Sequence, residues 1–352
     1  MTALITRVSK DGAPLIEGNQ VTFVWQGPQA PTLIGDFNHW GRDLPALPMQ
    51  PAGPELWSAT ISLPSDGYFE YAFVVQGQRV PDPLNACSVD DGLGHTNSYF
   101  WMPDAVDTPL IHAQDELLAA RLTEYSLPTE GLLIGASRRV VLYQPPVTEP
   151  CPLVVVLDGQ DYLARAHLPA IVDNLIAQRR IQPIALALVA NGEAARRIEY
   201  ACSDTTLAFL FYHVLPLAKR HLHLLDVESS PGAYGMLGAS MGGLMGLYTG
   251  MRIPHVFGRI LCQSGAFGAD DPTYRLYYRS VIDDLVDLLP TRPLTLWMDV
   301  GQYEWFLEPN RQMLARLRGR GYSVNYLEHS SGHNYPSWRN VVWQGLEYLF
   351  RR

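Results

Sequence analysis

One stretch constrains this chain more than any other: an apolar run that ends in Gly238-Ala239-Ser240-Met241-Gly242. The residues before it suit a buried strand, and the residues after it suit a helix. A Gly-x-Ser-x-Gly pattern between a strand and a helix is typical of a nucleophile elbow, where the serine lies on a strained turn with its hydroxyl exposed. The pattern predicts that Ser240 is a nucleophile and that the Met241 N–H points at a developing oxyanion.

Composition bounds the rest of the interpretation. With 352 residues, 47% of them hydrophobic and 17% charged, the chain has room for two globular domains. A net charge of -9 with no basic tract argues against a nucleic-acid partner. The four cysteines are widely spaced and match no metal-ligand pattern. The first residues lack the apolar core of a signal peptide and no run reaches membrane-spanning length, so we expect a cytoplasmic protein without a membrane partner.

Residues 1–103 are predicted to form an all-β domain. Short alternating runs rich in β-branched and aromatic residues are separated by Pro, Gly and Asp, which favours a small sandwich. The runs are Val21–Trp25, Thr32–Trp40, Leu56–Leu63 and Tyr68–Val75.

Residues 104–135 are interpreted as a connector, and residues 136–352 as an α/β domain. Near-continuous apolar strands alternate with helical segments there, which predicts a parallel sheet covered on both faces. Together with the elbow this is an α/β-hydrolase arrangement. The predicted strands cover 139–143, 153–157, 184–189, 234–237, 259–262, 294–300 and 324–328, and the predicted helices cover 166–178, 204–222, 241–252, 308–319 and 337–350.

A base and an acid should follow the nucleophile in the order Ser, acid, His. His333 lies between the last predicted strand and the last predicted helix, where the base of this fold belongs. Glu304 follows the glycine turn after strand 294–300, so its carboxylate is placed to orient the imidazole. Asp299, at the end of that strand, is the alternative acid.

The second oxyanion donor is expected from the turn after strand 153–157. Gly159 and Gln160 are both candidates, because a glycine lets the main chain approach a substrate closely. The sequence does not choose between the two amides.

Two neighbouring arginines allow two interpretations. Arg196 and Arg197 are candidates to hold an anionic substrate. Alternatively, Arg196 and Glu199 form an ion pair at helical spacing that shapes the loop.

Several segments carry a family resemblance; they are Pro152–Gln160, Arg196–Tyr200, Leu215-Pro216, Gly238–Gly243, Gln263–Gly265, Gly332–Asn334 and Trp338-Arg339. Together they resemble the enterochelin esterases of the esterase D group, which also includes feruloyl esterases. Asn334 departs from that pattern, since the family usually has Asp after the histidine. Gly35–Trp40, Trp57, Tyr68–Phe73 and Asp82–Asn85 are similar to the early-set immunoglobulin-like domains related to carbohydrate-binding module family 48.

The resemblance implies a serine esterase that cleaves the trilactone of the siderophore enterobactin, often as its ferric complex, in the cytoplasm. Ser240 and His333 match the nucleophile and the base, Glu304 matches the acid by position, and Arg196, Arg197 and Trp338 are the implied substrate-binding residues. The resemblance implies no metal and no other cofactor, because any iron would belong to the substrate.

Three other activities are compatible with the sequence. A feruloyl or acetyl esterase acting on a carbohydrate ester would use the same residues, and so would an acyltransferase. A non-catalytic glycan-binding protein would use exposed tryptophans such as Trp40 and Trp57. The sequence predicts a small-molecule ester as the partner and leaves the acyl group, the alcohol and the oligomeric state open.

Overall fold

A computed structural model describes residues 3–92, 94–112, 118, 121–268, 275–276 and 279–352. The chain divides into two units. The first unit combines Met1–Asp107 with two later segments, Gly301–Leu307 and Glu328–Ser337. The second contains Thr108–Val300, Glu308–Leu327 and Trp338–Arg352. The two later segments of the first unit carry Glu304 and His333, whereas Ser240 belongs to the second.

The first unit is built around two antiparallel sheets, in the orders β1-β2-β6-β5 and β4-β3-β7-β10-β9, with β8 paired to β7. The all-β prediction for this part of the chain is therefore confirmed. Its strands are β1 Leu15–Glu17, β2 Gln20–Gln26, β3 Thr32–Gly35, β4 Leu47–Pro48, β5 Gln50–Gly53, β6 Leu56–Ser62, β7 Tyr68–Val75, β8 Gln78–Val80, β9 Ser88–Asp90 and β10 Thr96–Trp101. A helix, Ala3–Asp11, precedes them.

Aromatic side chains fill the space between these two sheets. Phe23 of β2 contacts Tyr71 of β7 and Phe100 of β10, with ring centres 4.8 and 5.8 Å apart. All three side chains are buried. Rings of this size remove a large apolar area from water, so they supply much of the stabilisation of a small sandwich.

One predicted strand of this unit is shorter than expected. Within Thr32–Trp40 the strand ends at Gly35, and a 3₁₀ turn, Asp36–Gly41, follows. His39 and Trp40 have φ of 52° and 58°, which a strand does not accommodate. The turn is held by Asn38, which accepts from the Gly35 N–H at 2.9 Å and donates to the Leu33 carbonyl at 3.0 Å.

The second unit contains an eight-stranded sheet in the order β11-β12-β14-β13-β15-β16-β19-β20. Its strands are β11 Leu122–Pro128, β12 Ser137–Tyr143, β13 Leu153–Leu157, β14 Ala185–Val189, β15 Tyr234–Ala239, β16 Phe257–Gln263, β19 Thr295–Gly301 and β20 Val324–His329. Two short strands, β17 Arg275–Leu276 and β18 Arg279–Ser280, pair only with each other. The seven predicted strands are all present.

The sheet is mixed, so the expectation of a parallel sheet is corrected at one edge. Strands β14, β13, β15, β16 and β19 pair in parallel, but β12 runs antiparallel to β14, and β11 runs antiparallel to β12. Strand β11 lies inside the segment interpreted as a connector, of which 113–117 and 119–120 fall outside the described residues. Its residues are half-buried or exposed and none is fully buried, which suits an edge strand.

The helices of the second unit agree with the predicted segments and add shorter ones. Helical structure covers Gly159–Ala164, Leu168–Ala177, Arg196–Tyr200, Asp204–Phe209, Leu215–His221, Met241–Arg252, Val281–Leu288, Leu307–Gly319 and Tyr335–Phe350, with a π turn at Leu210–Val214 and 3₁₀ turns at Pro109–Ile111 and Glu193–Ala195. Among the described residues, no helix is both long enough and apolar enough to cross a bilayer.

Candidate active site

Ser240 lies between β15 and the helix Met241–Arg252, as the elbow pattern predicts. Its backbone has φ 58° and ψ −122°, a conformation that is costly for a residue with a Cβ. Two backbone hydrogen bonds hold it there: the Ser240 N–H donates to the Gln263 carbonyl at 2.8 Å, and the Ala266 N–H donates to the Ser240 carbonyl at 3.0 Å. The surrounding sheet thus fixes the strained turn.

Position 238 of the elbow has no space for a side chain. A Cβ at Gly238 would lie 2.5 Å from the carbonyl carbon of Gly242, which is closer than any side chain allows. The strand and the helix can therefore approach each other only without a side chain there. Met241 is the first helical residue, and the first N–H groups of a helix have no partner within it. The predicted oxyanion donor is consequently at a helix N-terminus.

Both predicted amide donors lie in the turn after β13. Asp158 is left-handed, with φ 55°, and the helix Gly159–Ala164 begins directly after it. Gly159 and Gln160 are the first two residues of that helix, so neither N–H has an acceptor within the helix. A Cβ at Gly159 would lie 2.3 Å from the backbone of Leu188, which explains the glycine.

Arg196 does not pair with Glu199, so the predicted ion pair is wrong. The guanidinium donates to both carboxylate oxygens of Asp158, from Nε at 2.5 Å and from Nη2 at 2.6 Å. Nη2 also lies 3.3 Å from the carbonyl oxygen of Ala239, the residue before the nucleophile. Glu199 instead accepts from Arg138 at 2.7 Å. Arg196 therefore joins the turn after β13 to the elbow.

The other two predicted substrate-binding residues differ in exposure. Arg197 is exposed, and its predicted role stays a prediction. Trp338 is only 4% exposed; its Nε1 donates to Ser264 Oγ at 2.9 Å, and its carbonyl accepts from Gln263 Nε2 at 3.0 Å. The N–H of this buried indole is bonded inside the protein, and the substrate-binding role of Trp338 stays a prediction.

His333 and Glu304 contact each other in the first unit. The Nδ1 atom of His333 is hydrogen-bonded to Glu304 Oε2, while Glu304 Oε1 accepts from the Gly301 N–H at 2.6 Å. Glu304 is fully buried, and a buried carboxylate is stabilised by such donors. An imidazole that donates from Nδ1 presents Nε2 as the basic nitrogen, which is the geometry of a general base.

Asp299, the alternative acid, lies in a different environment. Its Oδ2 accepts from Trp297 Nε1 at 2.8 Å, and both of its oxygens lie 3.3 Å from Gln263 Nε2. Asp299 is fully buried in the sheet of the second unit. Within the first unit, the carboxylate that the structure shows bonded to His333 is that of Glu304.

Residues of the sandwich hold the loop that carries His333. Asp36 accepts from Asn334 Nδ2 at 3.1 Å, and the Tyr68 N–H lies 3.3 Å from Ser331 Oγ. A Cβ at Gly332 would lie 2.0 Å from Asp36 Cγ, so the loop backbone lies directly against this side chain. Sequence analysis did not single out Asp36, although it stands in the quoted Gly35–Trp40 segment.

Asp36, which contacts the His333 loop, is a buried carboxyl group with a raised pKa. It is 1% exposed, and burial, followed by the nearby Glu70 carboxylate, raises its pKa well above the ordinary value of 3.8. Donation from the Glu70 N–H at 2.8 Å and from Trp40 Nε1 at 3.0 Å opposes that shift without cancelling it. Glu304 adds to the rise, so the two carboxyl groups interact electrostatically.

Residues 133–349 match the family model for esterases, whose description reads "Putative esterase". The chain belongs to this esterase family. It is accordingly a carboxylic ester hydrolase, and the predicted fold class, an α/β-hydrolase domain after an all-β region, is confirmed.

Three known proteins are similar to this chain. The iron(III) enterobactin esterase of Dickeya dadantii is 26% identical, over 97% of this chain and 91% of its own length. A crystal structure of ferric enterobactin esterase from Salmonella typhimurium superposes with a TM-score of 0.76 at 23% identity, covering 96% of this chain and 95% of that one. A ferulic acid esterase superposes with a TM-score of 0.53 at 16% identity, over 65% of this chain and 97% of that one.

Proposed function

We propose that this esterase hydrolyses the ester bonds of a catecholate siderophore trilactone of the enterobactin type, with Ser240 as nucleophile, His333 as base and Glu304 as its orienting acid. The observation that carries the reaction is the strained backbone of Ser240 between a buried strand and a helix N-terminus. The substrate class is taken from the enterobactin esterase of Dickeya dadantii, which matches along 97% of this chain.

The reaction proceeds in two balanced halves. Ser240 Oγ attacks the ester carbonyl while its proton passes to His333 Nε2, and the oxyanion accepts hydrogen bonds from the Met241 N–H and from an N–H of Gly159 or Gln160. Collapse expels the alkoxide, which takes the proton from His333. Water then attacks the acyl-enzyme with His333 again as base, which releases the acid and restores Ser240.

Glu304 acts through His333. Its Oε2 accepts from Nδ1, which fixes the imidazole tautomer and stabilises the imidazolium that forms when Nε2 takes the serine proton. Iron, where present, belongs to the substrate. Hydrolysis in the cytoplasm stays a prediction from the family resemblance, and so does the role of Arg197.

The second candidate is a feruloyl or acetyl esterase acting on a carbohydrate ester, which the similarity to a ferulic acid esterase favours. The tryptophans expected to stack on sugars weigh against it. Trp57 Nε1 donates to the Gly27 carbonyl at 3.0 Å, and Trp40 donates to Asp36 while the Arg79 guanidinium lies 3.9 Å from its ring centre. Both indoles are half-buried, so their faces are not open platforms.

Comparing substrates in wild type and Ser240→Ala tests this proposal. The substrates are enterobactin, its ferric complex, methyl ferulate and p-nitrophenyl butyrate, and the exposed Ser62→Ala is the control. We expect trilactone cleavage by wild type and Ser62→Ala, and a loss of about 10⁴-fold or more in kcat for Ser240→Ala. Equal rates for Ser240→Ala would refute the nucleophile; cleavage of methyl ferulate alone would transfer the proposal to the second candidate.

A further inference from the structure

The exposed Arg42 is separated from His333 by one aromatic side chain, that of Trp305. The Arg42 guanidinium carbon lies 4.1 Å from the centre of the Trp305 ring. That indole packs in turn against the imidazole of His333, with ring centres 4.8 Å apart. All three residues belong to the first unit, and Trp305 is only half-buried. A single indole therefore separates the guanidinium from the proposed base.

The backbone places Arg42 at this point. It follows the 3₁₀ turn Asp36–Gly41, and its N–H donates to the His39 carbonyl at 3.1 Å. The neighbouring acid, Asp43, is bonded to His39 Nδ1 at 2.7 Å. Within the part of the chain that the structure describes, no carboxylate lies within ion-pair distance of Arg42. No described carboxylate therefore neutralises the charge of Arg42.

The Arg42 guanidinium and the Trp305 indole together suit a ligand that is both anionic and aromatic. A guanidinium stacked on an indole keeps its plane fixed, while its N–H edges remain able to form paired hydrogen bonds with anionic oxygens. A second aromatic ring can stack on the same flat surfaces. In a chain with a net charge of -9, a cation at this position gives a local attraction for an anion.

We infer that Arg42 and Trp305 form a binding site for an anionic aromatic group of the ester substrate. This rests on the proposed function, since it is His333 as base that makes the position relevant. Arg196, an expected anion ligand, is instead held by Asp158.

Two matched esters test the inference. N-benzoylserine methyl ester is neutral, and N-(3-carboxybenzoyl)serine methyl ester differs from it by one carboxylate. We expect wild type to prefer the carboxylated ester in kcat/KM, and Arg42→Gln to lower that preference about tenfold, mainly through KM, because a charged hydrogen-bonded pair is lost. Arg42→Lys should fall between them, since it keeps the charge but loses the planar fork.

Arg180→Gln is the matched control. Arg180 also lies over an indole, 4.6 Å from the centre of Trp343, so this variant has the same change in net charge and also loses a cation–π contact. It should keep the wild-type preference. Unfolding curves show whether the variants are folded.

The outcomes separate the two proposals. If wild type cleaves both esters but shows no preference, or if Arg42→Gln keeps it, the inference is wrong and the proposed function stands. If Arg180→Gln loses the preference as Arg42→Gln does, net charge explains it and the inference is also wrong. If wild type cleaves neither these esters nor the trilactone, the proposed function fails, and the inference fails with it.

Discussion

The turn that carries Ser240 and the loops that carry Glu304 and His333 differ in how far along the chain their supporting contacts reach. The elbow is fixed by its own glycines and by hydrogen bonds with Gln263 and Ala266, at the end of β16 and just beyond it. The His333 loop is fixed by Asp36, 298 residues from its partner Asn334, and by Tyr68, 263 residues from Ser331. The nucleophile geometry is thus encoded locally, and the acid–base geometry depends on a separate sandwich.

This difference predicts that the sandwich affects catalysis by holding the His333 loop in place. If the comparison is correct, buried substitutions in the sandwich will change the His333 loop but leave the Ser240 turn intact. Substitutions at the elbow will act on Ser240 alone.

Replacing Glu304 should have the largest effect. In Glu304→Gln an amide N–H faces His333 Nδ1, which favours the imidazole tautomer whose Nε2 carries the proton and cannot act as base. We expect kcat to fall by about 10³- to 10⁴-fold with a small change in stability. Asp299→Asn is the comparison: it disturbs the contacts with Trp297 and Gln263 and should lower Tm more than kcat. A larger loss of kcat in Asp299→Asn would move the acid assignment to Asp299.

Two glycines, one in each region, give the next test. Gly238→Ala places a Cβ 2.5 Å from the Gly242 backbone, and Gly332→Ala places one 2.0 Å from Asp36 Cγ. Each should lower the free energy of unfolding by about 2–3 kcal/mol, because neither site has space for a methyl group.

The two clashes differ in the atoms that the added methyl group meets: a side chain at position 332 and backbone at position 238. Adding Asp36→Gly removes every Asp36 side-chain atom near position 332, so the double variant should be more stable than the sum of the two single effects predicts. The Gly238 clash is with backbone, and no side-chain substitution relieves it. Chemical denaturation of the four proteins in this cycle measures the coupling; strict additivity would mean that Asp36 does not hold the loop.

Much of the second unit could be predicted because its signals are local. Each of its seven predicted strands and five longer helices follows from hydrophobic period within a few residues, and the elbow follows from five consecutive residues. The Glu304 prediction rested on chain order and a glycine turn. The same reasoning missed the helix Val281–Leu288 and the edge strand β11.

What the sequence could not predict depends on contacts between distant segments. The local pattern placed Asp36 in a strand. Its bond to Asn334 joins residues at opposite ends of the chain, so no local pattern could indicate it. Arg196 had a partner at helical spacing, yet the Asp158 carboxylate, 38 residues away, is the one that it binds. Single-sequence patterns favour near neighbours, so they assign a plausible local partner where the fold provides a distant one.

Asn334→Asp isolates the bond that joins the sandwich to the His333 loop. The Asn334 Oδ1 atom accepts from the Ser337 N–H at 3.0 Å, and an aspartate keeps this cap of the last helix. It replaces the Nδ2 donor by an oxygen that faces the buried Asp36 carboxyl group. We expect a loss of about 1–2 kcal/mol in stability and about a tenfold lower kcat/KM.

Asn174→Asp is the matched control for that variant. The Asn174 Nδ2 atom donates to the carbonyls of Leu110 and His112, so the same substitution removes comparable hydrogen bonds outside the His333 loop. Its kcat/KM should stay at the wild-type value even where Tm falls. An equal loss of activity in both variants would show general destabilisation rather than movement of His333.

The smallest effect concerns pH. Because burial and Glu70 raise the pKa of Asp36 above 3.8, the folded protein holds a proton that the unfolded chain releases once the pH exceeds that value. Stability from this group therefore declines as pH rises, until the pH passes the folded-state pKa. Asp36→Asn removes the titration, so as the pH rises above the ordinary carboxyl pKa its Tm should fall less steeply with pH than that of wild type.

Asp82→Asn is the control for the pH test, because Asp82 is another carboxyl group with a raised pKa and its contacts lie within the sandwich. Burial raises the pKa of Asp82 as well, so its replacement should change the pH dependence of Tm in the same direction. Asp82 accepts from the Tyr71 hydroxyl at 2.6 Å and from the Leu84 N–H at 2.8 Å, both within the sandwich. Only Asp36→Asn should also lower kcat/KM, because only Asp36 contacts the loop that positions His333. If both variants keep full activity, the sandwich stabilises the fold without positioning the base, and the contrast between the two regions is one of stability alone.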